Sequence, residues 1–171
     1  MSGNRMKVKR TGMIWLLLMI GWMAVIFSFS ARKADESAAM SHSVGKEIGK
    51  IFVPGFESWS EDKQEQFAEK IDFPVRKCAH ASEYAVLGVL TLGTAYSFLE
   101  DRGKRRILIS WGIVTLYAAT DEFHQLFVPG RSCQLRDVCI DSTGALVGIL
   151  LFSLIKCKIK KYREKKNSCK N

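Results

Sequence analysis

The sequence predicts an all-α fold: a polytopic membrane protein with a four-transmembrane-helix bundle and a long extracytoplasmic loop carrying short amphipathic helices. Three observations predict it. Apolar residues gather into four blocks, each near the roughly 20 residues of helix that a hydrocarbon core of about 30 Å requires. Basic residues gather in the segments between and beyond those blocks. The acids and histidines that interrupt the apolar blocks all fall toward one end of the resulting bundle. The 171 residues are 47% hydrophobic with a net charge of +9, a composition that taken as an average would also suit a soluble domain or a nucleic-acid binder. The near-neutral mean hydropathy is instead a cancellation of apolar blocks against charged connectors. No basic stripe interleaved with aromatics is present, so nucleic acid is not an expected partner.

The first span covers about residues 11–29 and carries no charge. The second, 79–98, is apolar except for His80 and Glu83 near its start. The third, 107–127, is clean through Thr120 and then polar at Asp121, Glu122, His124 and Gln125. The fourth, 138–155, holds Asp141 one turn in. The first block, with basic residues before it and Ser28 and Ser30 at its end, also fits a cleavable signal peptide, but Met13 to Phe29 is long for a signal core and retention is expected. The whole chain, 1–171, reads as one membrane domain.

Lys and Arg accumulate on the cytoplasmic side of spans. Arg5, Lys7, Lys9 and Arg10 precede the first span; Arg102, Lys104, Arg105 and Arg106 separate the second from the third; Lys156, Lys158, Lys160, Lys161, Arg163, Lys165, Lys166 and Lys170 form a basic tail over 156–171. Four spans put all three segments on one side, so both termini are expected in the cytoplasm, with a frayed end from Asn167 to Asn171. The segment 30–77 is then extracytoplasmic. Val44, Ile48, Ile51 and Phe52 recur at helical spacing, as do Phe67 and Ile71, which predicts two amphipathic helices on the membrane surface separated by a turn at Pro54-Gly55. Phe-Val-Pro-Gly occurs at Phe52 to Gly55 and again at Phe127 to Gly130, and reads as two similar turns. The five cysteines (Cys78, Cys133, Cys139, Cys157 and Cys169) show no CxxC spacing. Cys133 and Cys139 fall on the same outer side, and the sequence leaves open whether they pair.

Threading gathers Arg76, Lys77, His80, Glu83, Asp121, Glu122, His124, Gln125, Arg131, Asp137 and Asp141 at the outer end. Fourteen residues from Ile107 to Thr120 rise about 21 Å, which sets Asp121 within the outer leaflet. An unpaired Asp at mid-membrane costs about 2.5–3.5 kcal/mol on insertion scales, so such acids must face one another, a cation or a wet pocket. Arg76, His80, Glu83 and Tyr84 share one helical face; Asp121, His124 and Gln125 share another; Asp137 and Asp141 share a third, continued by Gly144 and Gly148 as a small-xxx-small stripe that permits close helix approach. Plainer roles stand beside these. His80 and Glu83 also suit a local i, i+3 pair, Asp137 an N-cap of the fourth helix, Arg76 and Lys77 interface anchors, Glu122 an exposed interfacial acid, and Arg131 a partner to a carboxylate.

Three ordered segments resemble the VanZ-like family of bacterial membrane proteins: Arg76-Lys77-Cys78-Ala79-His80-Ala81-Ser82-Glu83-Tyr84, then Asp121 through Ser132, then Asp137 through Ala145, with Ser28-Phe29-Ser30 closing the first span. The loop from Ala31 to Asp72 is mainly outside the resemblance. The resemblance implies a place in the bacterial cytoplasmic membrane and a cell-envelope role, since the family's name comes from a protein associated with low-level teicoplanin resistance. A phosphotransbutyrylase label carried by some members has no counterpart in these residues.

Three functions remain open on the sequence. A binding protein at the outer leaflet would use Arg76, Lys77, Gln125 and Arg131 to hold a lipid-linked glycan, a lipoteichoic head group or a glycopeptide. An intramembrane enzyme acting on a lipid-linked substrate would use His124 or His80 as general base, oriented by Asp121 or Glu83. A structural network of Glu122, Asp137, Asp141 and their neighbours would only lock the bundle. No cofactor is expected. A divalent metal is compatible with His80, His124, Asp121 and Asp141 as N/O ligands, although no two-ligand spacing occurs on one helix.

Overall fold

The computed structural model describes residues 2–99 and 103–168, with side chains from Arg10 onward. Among the described residues there are five α-helices, one short 3-10 turn and no strand: α1 (Ser2–Ser30), α2 (Ala34–Phe52), α3 (Glu61–Phe98), α4 (Lys104–Gln125) and α5 (Leu135–Ser168). The stretch Arg10–Ser30 of α1 and the helix α5 are each long and apolar enough to cross a membrane. Only 11% of the apolar window of α1 is buried, which a core helix of a soluble domain would not show. Its Met13, Leu17, Leu18 and Phe27 stand exposed, as do Leu108, Ile113 and Leu116 on α4 and Leu150, Leu151 and Leu154 on α5. A continuous belt of uncovered large apolar residues is a membrane- or partner-facing surface. The α4 helix and the second half of α3 are diluted by Thr91, Thr94, Ser97, Ser110, Thr115 and the acids, and do not reach the same apolar standard.

The long α3 is the central element, packing on α1, α2, α4 and α5. Lipid tails are as apolar as leucine, so such a bundle is held by close packing and interhelical hydrogen bonds. The expected stripe supplies the packing. A Cβ on Gly144 would collide with the Ala81 carbonyl, one on Gly148 with the Ala85 carbonyl, and one on Gly88 would lie 2.6 Å from the Ala145 carbonyl. The paired numbers rise together, so α3 and α5 run parallel. At the other end of α1, Trp15 lies against Gly93, and Trp22 Nε1 donates to the Glu83 carbonyl at 2.9 Å. Tyr117 OH donates to the Met23 carbonyl at 2.7 Å, tying α4 to α1. Ile26, Tyr84, Leu87, Val114, Ala118 and Ala145 form the core between these helices.

The loop segment differs from the expectation of two separate surface helices. The first exists as α2, but the second, containing Phe67 and Ile71, is continuous with the expected second span in one 38-residue helix. Pro74 lies inside it. A proline there removes one i→i−4 bond, and the helix continues because Pro74 and Lys70 are both exposed, where solvent can satisfy the freed carbonyl of Lys70. The α2 helix folds back on the first half of α3, where Gly45 meets Ala68 and Gly49 meets Phe56. Phe56 is buried against the rings of Trp59 and Phe67, at 5.2 and 5.3 Å.

The two Phe-Val-Pro-Gly copies are alike, as the sequence suggests. Gly55 and Gly130 have φ of 74° and 76°, and each turn is closed by the same bond, Phe56 N to Val53 O at 3.2 Å and Arg131 N to Val128 O at 3.1 Å. Pro followed by a left-handed Gly is the type II pattern. The second turn also docks α2, through Ala34 N to Pro129 O at 3.3 Å. The basic tail, expected as an appendage, continues α5 as helix through Ser168. Of the expected frayed end, residues 169–171 lie outside the described residues, as do Arg102 and the side chains of Arg5, Lys7 and Lys9. Cys133 and Cys139 are exposed free thiols, as are Cys78 and Cys157.

Candidate functional site

Ser30 at the end of α1, Tyr84 on α3, Asp121 and Gln125 on α4 and Asp141 on α5 meet at one end of the bundle. Asp121, Glu122 and Asp141 are 3%, 1% and 1% exposed, so the acids expected on two helices are indeed interior. Asp121 is the hub. Its Oδ2 accepts from Ser30 Oγ at 2.5 Å and from Tyr84 OH at 3.3 Å. Gln125 Nε2 donates to Ser30 Oγ at 3.4 Å, and Arg131 Nη1 donates to Gln125 Oε1 at 3.5 Å. A polar relay thus runs from the buried carboxylate through Ser30 and Gln125 to Arg131, whose Nε also donates to the Arg32 carbonyl at 3.3 Å. Arg131 is held by carbonyl oxygens, not by the carboxylate partner that the plainer reading gave it.

Other expected residues take different partners. Glu122 is buried, not exposed at the interface, and its Oε2 accepts from the backbone N–H of Gln134 at 3.1 Å, just before α5 starts. Asp137 does not cap α5, which begins at Leu135; it lies in the first turn and accepts from Lys77 Nζ at 2.6 Å, joining α3 to α5. Arg76 pairs with Asp72 at 2.6 Å, one turn earlier on α3. Asp72 also accepts from Ser41 Oγ of α2. His124 is half-buried with its ring 4.5 Å from that of Phe27, and its Nδ1 has no hydrogen-bond partner. Among the described residues no hydrogen bond joins His80 to Glu83, and no three His, Cys, Asp or Glu side chains are grouped so as to hold a metal ion. Asp141 has neither oxygen hydrogen-bonded, while Glu122, Asp121 and Asp137 all act on it electrostatically.

Beside this closed centre lies an open cavity of about 680 Å³ between α2 and α3. Phe29, Met40, Val44, Ile48, Ile71 and Val75 give it apolar walls, and Arg76, His80, Glu83 and Arg131 are its ionisable lining. Partial burial, and after it the charge of Arg76, pull the Arg131 guanidinium below its ordinary value; it remains a cation throughout the physiological range. The two guanidiniums therefore act on each other at one cavity. Lys77, expected with them as an anion ligand, does not line the cavity and pairs with Asp137, whereas Arg76 lines it while also paired with Asp72.

The residues that sequence reasoning missed are Ser30 and Asp72. Ser30 closes an apolar span and carries no helical-face signal of its own; Asp72, on α3, falls in the segment expected as a loop, where one acid among many has no distinguishing pattern.

The fold and this end of it define a class: an all-helical membrane protein that packs buried acids beside an open, cation-bearing cavity. The sequence matches the family described as VanZ/LLP1 over residues 15–156, most of its length, and the chain belongs to that family. The matched range takes in most of α1, the whole α2–α3 hairpin and every residue of the site. Neither among curated proteins nor among solved structures does any match reach significance.

Proposed function

We propose that this protein binds a lipid-linked or otherwise anionic component of the cell envelope at the outer leaflet, and that this binding contributes to resistance to teicoplanin-type glycopeptides. In this reading all four helices α1, α3, α4 and α5 span the bacterial cytoplasmic membrane, both termini are cytoplasmic, and the α2–α3 hairpin lies outside. The observation that carries the proposal is the cavity between α2 and α3. Its walls suit an apolar chain, and Arg76 and Arg131 suit a phosphate, because guanidinium matches phosphate bidentately. Arg76 is already paired with Asp72, but among the described residues Arg131 contacts only carbonyl oxygens, so an anion in the cavity would complete its partners and reach Arg76 as well. The relay from Arg131 to Asp121 fixes the loop that carries Arg131, which favours a prearranged site.

The locked state of Asp121 supports a positioning role for the buried centre. Its Oδ2 is held by Ser30 and Tyr84, and the His124 ring lies tilted against Phe27 at 4.5 Å. The test is teicoplanin susceptibility of a sensitive bacterium expressing the wild-type chain, Arg76→Gln/Arg131→Gln, or His124→Ala, with membrane abundance measured in parallel. The double variant at normal abundance should lose protection and His124→Ala should keep it. Protection that survives in the double variant excludes the cavity as the site; loss confined to His124→Ala points to acid–base catalysis.

A further inference from the structure

The opposite end of the bundle holds a second cluster that the proposed function does not use. Tyr96 of α3 lies beneath two cations: the Arg106 guanidinium of α4 is 5.0 Å from its ring centre and Lys156 Nζ of α5 is 4.4 Å from it. Lys156 also lies 5.4 Å from the ring of Phe152, and Phe152 packs on Trp15 of α1 at 5.7 Å. All four long helices thus contribute at least one aromatic or basic group, and α5 two. The two cations are close enough to act on each other, and among the described residues no carboxylate acts on Lys156. Arg106 Nη2 donates to the Leu99 carbonyl at 2.6 Å, whereas its Nε–H is buried without an acceptor.

Cation–π contact gives each cation only about 0.5–1 kcal/mol at an exposed site, which is weak compensation for bringing two like charges together. A buried N–H without an acceptor is a further cost of roughly 1–3 kcal/mol. One oxyanion with several acceptor atoms removes both defects. We infer that Arg106, Lys156 and Tyr96 form a binding site for a phosphate group, supplied by an anionic phospholipid of the adjoining leaflet. The lipid source follows from position, at the ends of helices flanked by apolar belts, where basic pockets between spans take anionic head groups; this placement rests on the four-span reading. The rigid aromatic floor separates this site from the remaining basic residues of the tail, which are exposed along the end of α5.

The test is thermal unfolding of the full-length protein in nanodiscs of phosphatidylglycerol and of phosphatidylcholine, with inorganic phosphate added to the second in a separate arm. Phosphatidylglycerol should raise Tm by about 3 °C or more over phosphatidylcholine. Arg106→Gln/Lys156→Gln should abolish that increment, whereas Lys161→Gln/Lys165→Gln, which removes the same charge from the exposed tail, should retain it. Lys156→Gln alone, at an exposed position that folding tolerates, should at least halve it. An increment reproduced by inorganic phosphate and lost with Arg106 and Lys156 assigns the site to the free ion. An increment absent from the wild type in every arm, or lost equally in the tail variant, overturns the inference.

Discussion

At the Ser30 end of the bundle three carboxylates are buried among hydroxyls, an amide and one another, whereas at the opposite end two cations lie over a tyrosine. The acidic end is organised by hydrogen bonds: Asp121 holds Ser30 and Tyr84 directly and Gln125 through Ser30, which fixes α1, α3 and α4 together. The basic end is organised by aromatic contact, with few polar groups, of which the buried Arg106 Nε–H has no acceptor. The difference teaches where each end gets its order. Hydrogen bonds from two helices onto one carboxylate of a third specify one arrangement of those helices, while cations on an aromatic face leave donors available to something outside the chain. Even the acidic end is uneven, since Asp121 has two donors and Asp141 has none.

Packing is the first place to break the comparison, because both ends depend on α3 and α5 lying close. Gly148→Leu should cost at least about 3 kcal/mol, the upper part of the overpacking range, since its side chain meets the Ala85 carbonyl backbone. Loss of membrane abundance and of a cooperative unfolding transition would register this; a normal transition would show that the helices can separate there. Asp121→Ala comes next. It leaves the Ser30 and Tyr84 donors without their acceptor, and the expected loss is roughly 1–3 kcal/mol, read from thermal unfolding in detergent.

Asp141→Asn sharpens the unevenness. Asp141 is buried beside other carboxyls with no donor to hold an ionised form, so a neutral isostere of the same shape should match wild-type stability. A loss as large as that of Asp121→Ala would mean that Asp141 has a partner in the working protein. Smaller still is the hairpin. Lys46 and then His42 hold the exposed Glu65 below its ordinary range. A lowered carboxylate contributes above its unfolded value and loses that contribution as pH falls through its folded value, so the pair should weaken only below about pH 4.5, the ordinary glutamate value. Glu65→Gln should therefore raise hydrogen exchange in α2 by about twofold at neutral pH, with no further change on acidification.

Much of this architecture is legible in the sequence, and for physical reasons. Apolar blocks and their basic flanks locate the four long helices, two of which are long and apolar enough to cross a membrane. The Gly144–Gly148 stripe foretells a close helix approach, since small residues let backbones meet, and the structure gives α3 as the partner. The repeated Phe-Val-Pro-Gly foretells two turns of one kind, since Pro and a left-handed Gly fix a backbone shape. Partner choice is less legible. Lys77 has Asp137 across the bundle, Arg76 has Asp72 on its own helix, and Glu122 has a backbone N–H; helical faces constrain these options without selecting among them. The fusion of the second loop helix with α3 is not legible, because a proline inside a helix usually interrupts it and Pro74 is tolerated here only where the freed carbonyl is exposed.

The central claim concerns the cavity between α2 and α3, and its most direct measurement is binding of a polyprenyl phosphate, with the polyprenol of equal chain length as the uncharged control, to purified protein in phosphatidylcholine nanodiscs. The account predicts that the phosphate form binds at least about tenfold more tightly, a difference of roughly 1.4 kcal/mol, and that Arg76→Gln/Arg131→Gln removes the preference without unfolding the protein. Equal binding of the two lipids, or an undiminished preference in the double variant, would contradict it.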